Sequence, residues 1–169
     1  MNKLNALVQK AKTSKFYLHL LNLILLRTVP FNGPHKPQII SVTDDELTVK
    51  VRNTRKNQNH IKGIHACLLA TLCEYVTGLS ITLHLPADEY RIILKTINMT
   101  YHYQAKMDVI AKFKLSQQDI EKDILAPLKN SEAIFKEFAV DIYDTANNHI
   151  CTGLINWQIK AWKNAKVKV

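Results

Sequence analysis

The sequence predicts an α+β domain in which an antiparallel sheet wraps around one long central helix. Three observations point to it. Residues 63–87 form a long apolar stretch holding one formal charge, Glu74. Stretches rich in Val, Ile, Thr and Tyr flank it, several of them alternating apolar with polar residues. With 47% hydrophobic residues in 169 and only four Gly and five Pro, the chain fits one domain with a sizeable core and no linker.

The elements follow in order. Leu4, Leu7, Val8 and Ala11, then Leu18, Leu21 and Leu25, predict one or two amphipathic helices ending near Pro30. Residues 1–27 are thus an extra N-terminal helical segment, either docked on the domain or lying on a membrane surface. The run 16–26 imitates a signal peptide, but Arg27-Thr28-Val29-Pro30 follows it in place of a small-residue cleavage site. Residues 28–162 form the main domain. Residues 38–43 and 47–52 are two short strands joined at Asp44-Asp45, and polar residues 53–62 are a loop.

A helix then starts near Ile64 and runs at least to Thr77. Leu68, Leu72, Tyr75 and Val76 make one stripe, while Ala66, Cys67, Ala70 and Cys73 leave the other side apolar too, so burial nearly all round is expected. A carboxylate at the centre of a lipid-facing helix costs roughly 2.5–3.5 kcal/mol, so Glu74 argues for a helix enclosed by its own protein. Residues 78–86 fit either helix or strand. Residues 91–103 and 107–115 read as strands, 116–128 as a capped short helix, and 132–143 with 149–162 as a hairpin about the turn 144–148. The four later strands are expected in meander. A sheet of this length has edges, which favours a homodimer or a dimer of dimers. Residues 163–169 are a basic tail.

The formal charge is +9, unevenly placed: residues 1–43 hold six Lys or Arg and no acid, residues 154–169 four Lys and no acid, and residues 44–153 are nearly balanced. Basic ends attract nucleic acid, anionic lipid or a phosphorylated small molecule, or simply keep the surface solvated. No interleaving of aromatic and basic residues and no recognition helix supports nucleic-acid binding, so none is expected. Three cysteines with no C-x-x-C make neither a disulfide framework nor a zinc ribbon, and a reducing, cytoplasmic setting follows.

The sequence has no G-x-S-x-G, H-E-x-x-H, phosphate-binding loop or EF-hand loop, and neither metal nor cofactor is expected. Glu74 is the residue left to explain. A lone carboxylate in an apolar helix loses hydration and either gains a partner or rises in pKa, which suits a general base. A purely structural Glu bonded to a neighbouring loop is the competing account. Asn59, Gly63 and His65 lie where the loop enters the helix, whose free N–H groups can polarise a carbonyl. Nine residues separate His65 from Glu74, which on one continuous helix puts them on opposite sides, ~13 Å apart along the axis. A site shared between two antiparallel copies of the helix resolves that.

Asn59-x3-Gly63-x-His65-Ala66-Cys67, followed by an apolar helix with Glu74 nine residues past the His, resembles the loop and central helix of hotdog-fold acyl-CoA thioesterases of the PaaI-like group. Residues 30–32 and the strands after Pro86 extend the resemblance over roughly 28–162. It implies a hotdog-fold homodimer that hydrolyses an acyl thioester of CoA or acyl carrier protein. By position, Glu74 is the base or nucleophile, Asn59 orients water or carbonyl, and His65 with the N–H groups after it holds the thioester oxygen. Gly63, Ala66 and Cys67 approach the substrate, and Phe31, Tyr75, Met99 and Tyr101 are candidates to line an acyl pocket. Ala66-Cys67 departs from the family's Gly-Gly and narrows the approach to backbone. A non-catalytic acyl-ligand or membrane-surface protein is the alternative.

Overall fold

A computed structural model describes residues 3–165; most of the basic tail 163–169 lies outside the described residues. Helices α1 (Lys3–Ala11) and α2 (Lys15–Thr28) lead into strands β1 (Gln38–Val42) and β2 (Glu46–Val51). The long helix α3 (Ala66–His84) follows, then β3 (Tyr90–Tyr101) and β4 (Val109–Lys114). A helical insert comes next, α4 (Gln117–Ile120), a π-helical turn Glu121–Leu125 and α5 (Ala126–Leu128), before β5 (Ile134–Asp144) and β6 (His149–Ala161). All six strands form one antiparallel sheet ordered β1-β2-β4-β5-β6-β3, wrapped around α3. This is the hotdog arrangement.

The expected meander holds only from β4 to β6. Strand β3 leaves it and pairs with β6 at the far edge, while β4 pairs with β2. Strand length accounts for the exchange: twelve-residue β3 matches thirteen-residue β6, and six-residue β4 matches six-residue β2. Only three residue pairs join β4 to β5; Ile120 and Ile124 of the insert are fully buried, and Asp123 pairs with Lys136 towards the other end of β5. The insert begins with a capping box, the Asp119 N–H donating to Ser116 Oγ and the Ser116 N–H to Asp119 Oδ2.

Residues 78–84 continue α3. The hydroxyls of this apolar helix are satisfied internally: Thr77, Ser80 and Thr82 each donate to the carbonyl four residues back. Leu68, Leu69, Leu72, Cys73, Val76 and Ile81 are buried by the sheet, yet Cys67 is exposed and Thr71 and Glu74 are half-buried. Burial nearly all round is therefore corrected: the strands cover most of the helix and leave the Cys67–Thr71–Glu74 side open. Helix and sheet meet closely at Gly153, where an added Cβ would lie 2.8 Å from Cys73 Sγ and 3.0 Å from Met99 Sδ. Gly153→Ala is expected to destabilise by about 1–3 kcal/mol through overpacking, read as a lower urea midpoint at unchanged m-value.

The N-terminal pair packs on the other edge. Val8, Ala11, Leu21 and Leu25 are buried, and the Asn22 side chain accepts from the Ile39 N–H at 2.7 Å and donates to the Ile39 carbonyl at 3.0 Å. Asn22 thus takes the place of a neighbouring strand along the outside of β1.

Candidate active site

The loop before α3 is held by asparagines. Asn57, nearly fully buried, donates to the His35 and Arg52 carbonyls at 3.1 and 2.9 Å, faces His35 Nδ1 at 3.2 Å, and its own carbonyl accepts from the His65 N–H at 2.8 Å. Three stretches of chain converge on it. Asn59 Oδ1 accepts from the Ile61 and Gly63 N–H groups at 3.0 and 3.1 Å, closing a turn in which Lys62 is left-handed at φ 61°. Its Nδ2 has no acceptor among the described residues. Gly63 sits in a tight spot, since a Cβ there would lie 3.2 Å from Gln104 Cγ and 3.3 Å from the Ala105 carbonyl and would push both back by a few tenths of an ångström.

His65 is the N-cap of α3, not its first turn. Its backbone is extended (φ −64°, ψ 136°) and Nδ1 accepts from the Cys67 N–H at 3.1 Å, which puts the neutral ring's proton on Nε2. The Leu68 and Leu69 N–H groups both donate to the His65 carbonyl, leaving the Ala66 N–H as the first-turn donor without an acceptor among the described residues. Tyr101 Oη donates to the Ala66 carbonyl at 3.1 Å.

Two hollows flank this helix start. One, about 300 Å³, is lined by Asn59, Ala66, Leu69, Tyr101 and Gln104 among others. The other, about 190 Å³, lies between Phe31, His35, Lys56, His65, Cys67 and Thr71. The predicted residues thus gather around one helix end but divide between its two sides. Tyr75 is buried core, and Met99 is half-buried against Cys73 and Gly153; neither lines a hollow here. A larger hollow, about 910 Å³ between residues 88–90, 121–132 and 161–164, contains none of them.

Glu74 lies two turns into α3. Its carboxylate has neither hydrogen bond nor ion pair among the described residues, and burial pushes its pKa up. Burial, with the charge of Glu74 beside it, also raises the Tyr75 phenol to about 12. The structural account of Glu74, bonding to a loop, finds no such bond among the described residues. The opposite-side geometry is corrected as well. Because the helix begins at Ala66 and the His65 ring folds back on Cys67, the imidazole belongs to the face of Cys67 and Thr71. Cys67 and Glu74 are seven residues apart, which is ~20° around the axis and ~10 Å along it. The buried Cys73 thiol is held protonated by its hydrogen bond with Cys151 and by desolvation, which disqualifies it as a nucleophile.

Averaging over residues 44–153 concealed another feature. From Leu47 to Cys73 there is no acid, while Arg52, Arg55, Lys56 and Lys62 are exposed along the loop before α3, Lys56 lining the smaller hollow, and Lys50 pairs with Asp108 at 2.8 Å. This basic loop adjoins the site, which the basic termini do not share in the sequence. Asn57 was also missed, since a single Asn in a polar stretch carries no pattern; its burial is visible only once the strands and α3 are assembled.

A family model described as "Domain of unknown function (DUF4442)" matches residues 19–159. The chain belongs to the DUF4442 family. No curated protein matches it. Solved structures do. A Pseudomonas aeruginosa protein described as a "Probable Thioesterase" is 15% identical with a TM-score of 0.77, over 85% of this chain and 95% of that one. A thioesterase from Haemophilus influenzae is 14% identical with a TM-score of 0.64, over 89% and 95%. A Chlorobaculum tepidum protein of unknown function is 11% identical with a TM-score of 0.73, over 89% and 98%. At such identities the likeness establishes the shared fold. This member of the DUF4442 family therefore keeps the hotdog frame while its site residues stand on their own geometry.

Proposed function

We propose that this DUF4442 protein hydrolyses an acyl thioester of CoA or acyl carrier protein. The observation that carries the reading is Glu74: an unpartnered, half-buried carboxylate with a raised pKa on the open side of the central helix. In the reaction Glu74 takes a proton from water as the water oxygen bonds to the thioester carbon. The carbon–sulfur bond then breaks, and the thiolate leaves and takes up that proton, giving acid and thiol. Direct attack by the carboxylate, with an anhydride hydrolysed afterwards, uses the same placement. The Ala66 N–H and Asn59 Nδ2 are the donors available to the carbonyl oxygen. The exposed Arg55, Lys56 and Lys62 suit the phosphates of the carrier. The test is a screen of purified protein against acyl-CoA of increasing chain length and against acylated carrier protein.

The site completes itself in a homodimer. The outer edge of β3 carries unpaired backbone groups over twelve residues, with Ile93 and Tyr101 exposed on it. Pairing β3 with its own copy continues the sheet and brings the open sides of the two α3 helices towards each other. Glu74 of one protomer then serves the Asn59–His65 loop of its partner. Glu74→Ala and Asn59→Ala homodimers should each be weak. Co-refolded, statistical mixing makes half the dimers mixed, each with one intact site, so activity should return to about a quarter of wild type. Proven subunit exchange with no recovery assigns the site to one chain.

One observation favours the non-catalytic alternative. The Cys67 N–H is already bound to His65 Nδ1, so the Ala66 N–H is the one first-turn backbone donor left for a carbonyl among the described residues. Tight acyl-CoA binding with no thiol release at any chain length is the result expected of that alternative.

A further inference from the structure

Helix α2 is apolar on two opposite sides. Leu18, Leu21 and Leu25 point at the sheet, with Asn22 clipped to Ile39 among them. Phe16, Leu20, Leu23 and Ile24 occupy an arc of ~100° on the reverse side. Phe16 is 71% exposed, and Leu23 and Ile24 are about 40% exposed. The patch continues beyond the helix through Val29 and Phe31, both exposed. Scattered exposed apolar residues are ordinary, but this is a contiguous stripe on a helix fixed in place by two hydrogen bonds on its other side.

The charge around the stripe narrows what covers it. Lys15 and Arg27 stand exposed at its two ends, Lys10 of α1 lies over the ring of Tyr17 on α2, and no acid occurs from Met1 to Thr43. A second copy docking here by twofold symmetry would set this basic patch against itself, with no carboxylate in it to pair. An anionic bilayer surface supplies both an apolar layer for Phe16, Leu23 and Ile24 and negative headgroups for Lys15 and Arg27.

We propose that α2 is a membrane-docking face that seats the protein in the plane of an anionic lipid surface. The assignment is independent of the thioester reading. It is tested by sedimentation of the full chain with phosphatidylcholine vesicles, with and without phosphatidylglycerol. Wild type is expected to sediment with the anionic vesicles, to release as salt is raised, and to bind the neutral ones far less. Phe16→Ser/Leu23→Ser/Ile24→Ser should lose about tenfold or more of that binding while keeping its melting temperature. Should that variant fold poorly, Lys15→Glu/Arg27→Glu alters only exposed charges and should lose the same binding. Absence of wild-type binding to the anionic vesicles, or variants that bind as wild type, overturns the proposal. So does a self-associated wild type that either variant converts to monomer, which would assign the face to a second copy.

Discussion

Glu74→Ala is expected to lower thioester turnover by about 10²-fold or more while leaving the fold intact. The side chain makes no bond that holds the chain together, and its burial opposes its charge. The sign can be followed through pH. Its folded pKa lies above the unfolded one, so the folded state holds the extra proton between the two values and stability falls as pH rises through that window. Above that window the variant is therefore expected to melt no lower than wild type. The same shift moves the acid limb of kcat/KM to higher pH than an ordinary carboxylate would give, because the base works only when ionised. Wild-type turnover in Glu74→Ala ends the catalytic assignment, and collapse of the fold assigns the residue to structure.

Asn57→Ala is expected to cause the largest loss of stability among these variants. It leaves the His35 and Arg52 carbonyls without their side-chain donor in a nearly buried setting, worth about 2–4 kcal/mol in all. For a chain of this size that is a fall of roughly 5–15 °C in melting temperature. The consequence extends to the site, since the Asn57 carbonyl fixes the His65 N–H and through it the N-cap of α3. Substrate affinity should weaken with stability, and a variant that melts lower but binds substrate as wild type would show that the loop is positioned by other contacts.

What the sequence disclosed and what it withheld divide along physical lines. Strands and helices were legible because periodicity is local: Leu47, Val49 and Val51 face the core as alternation requires, and Ser116 caps its insert as its spacing to Asp119 requires. The position of β3 was not legible, because pairing depends on matched lengths across the sheet and not on order along the chain. Glu74 was found as a lone charge in an apolar run. Its relation to His65 was misjudged because a helical angle was extended one residue past the helix, to a cap with extended backbone. The roles of Asn57 and Asn22 depend on which backbone groups are left unpaired, and those exist only after folding.

The Asn22 clip bears on how this protein grows. With the β1 margin bonded at Ile39 and overlain by α2, the β3 margin is the open one for strand-to-strand association among the described residues. Two copies joined there have used both open margins, and a third finds none. Such growth terminates at two, where a sheet open at both margins would propagate into a fibre. One asparagine on a helix outside the sheet thus occupies the N–H and carbonyl of Ile39 that a further strand would need at this margin.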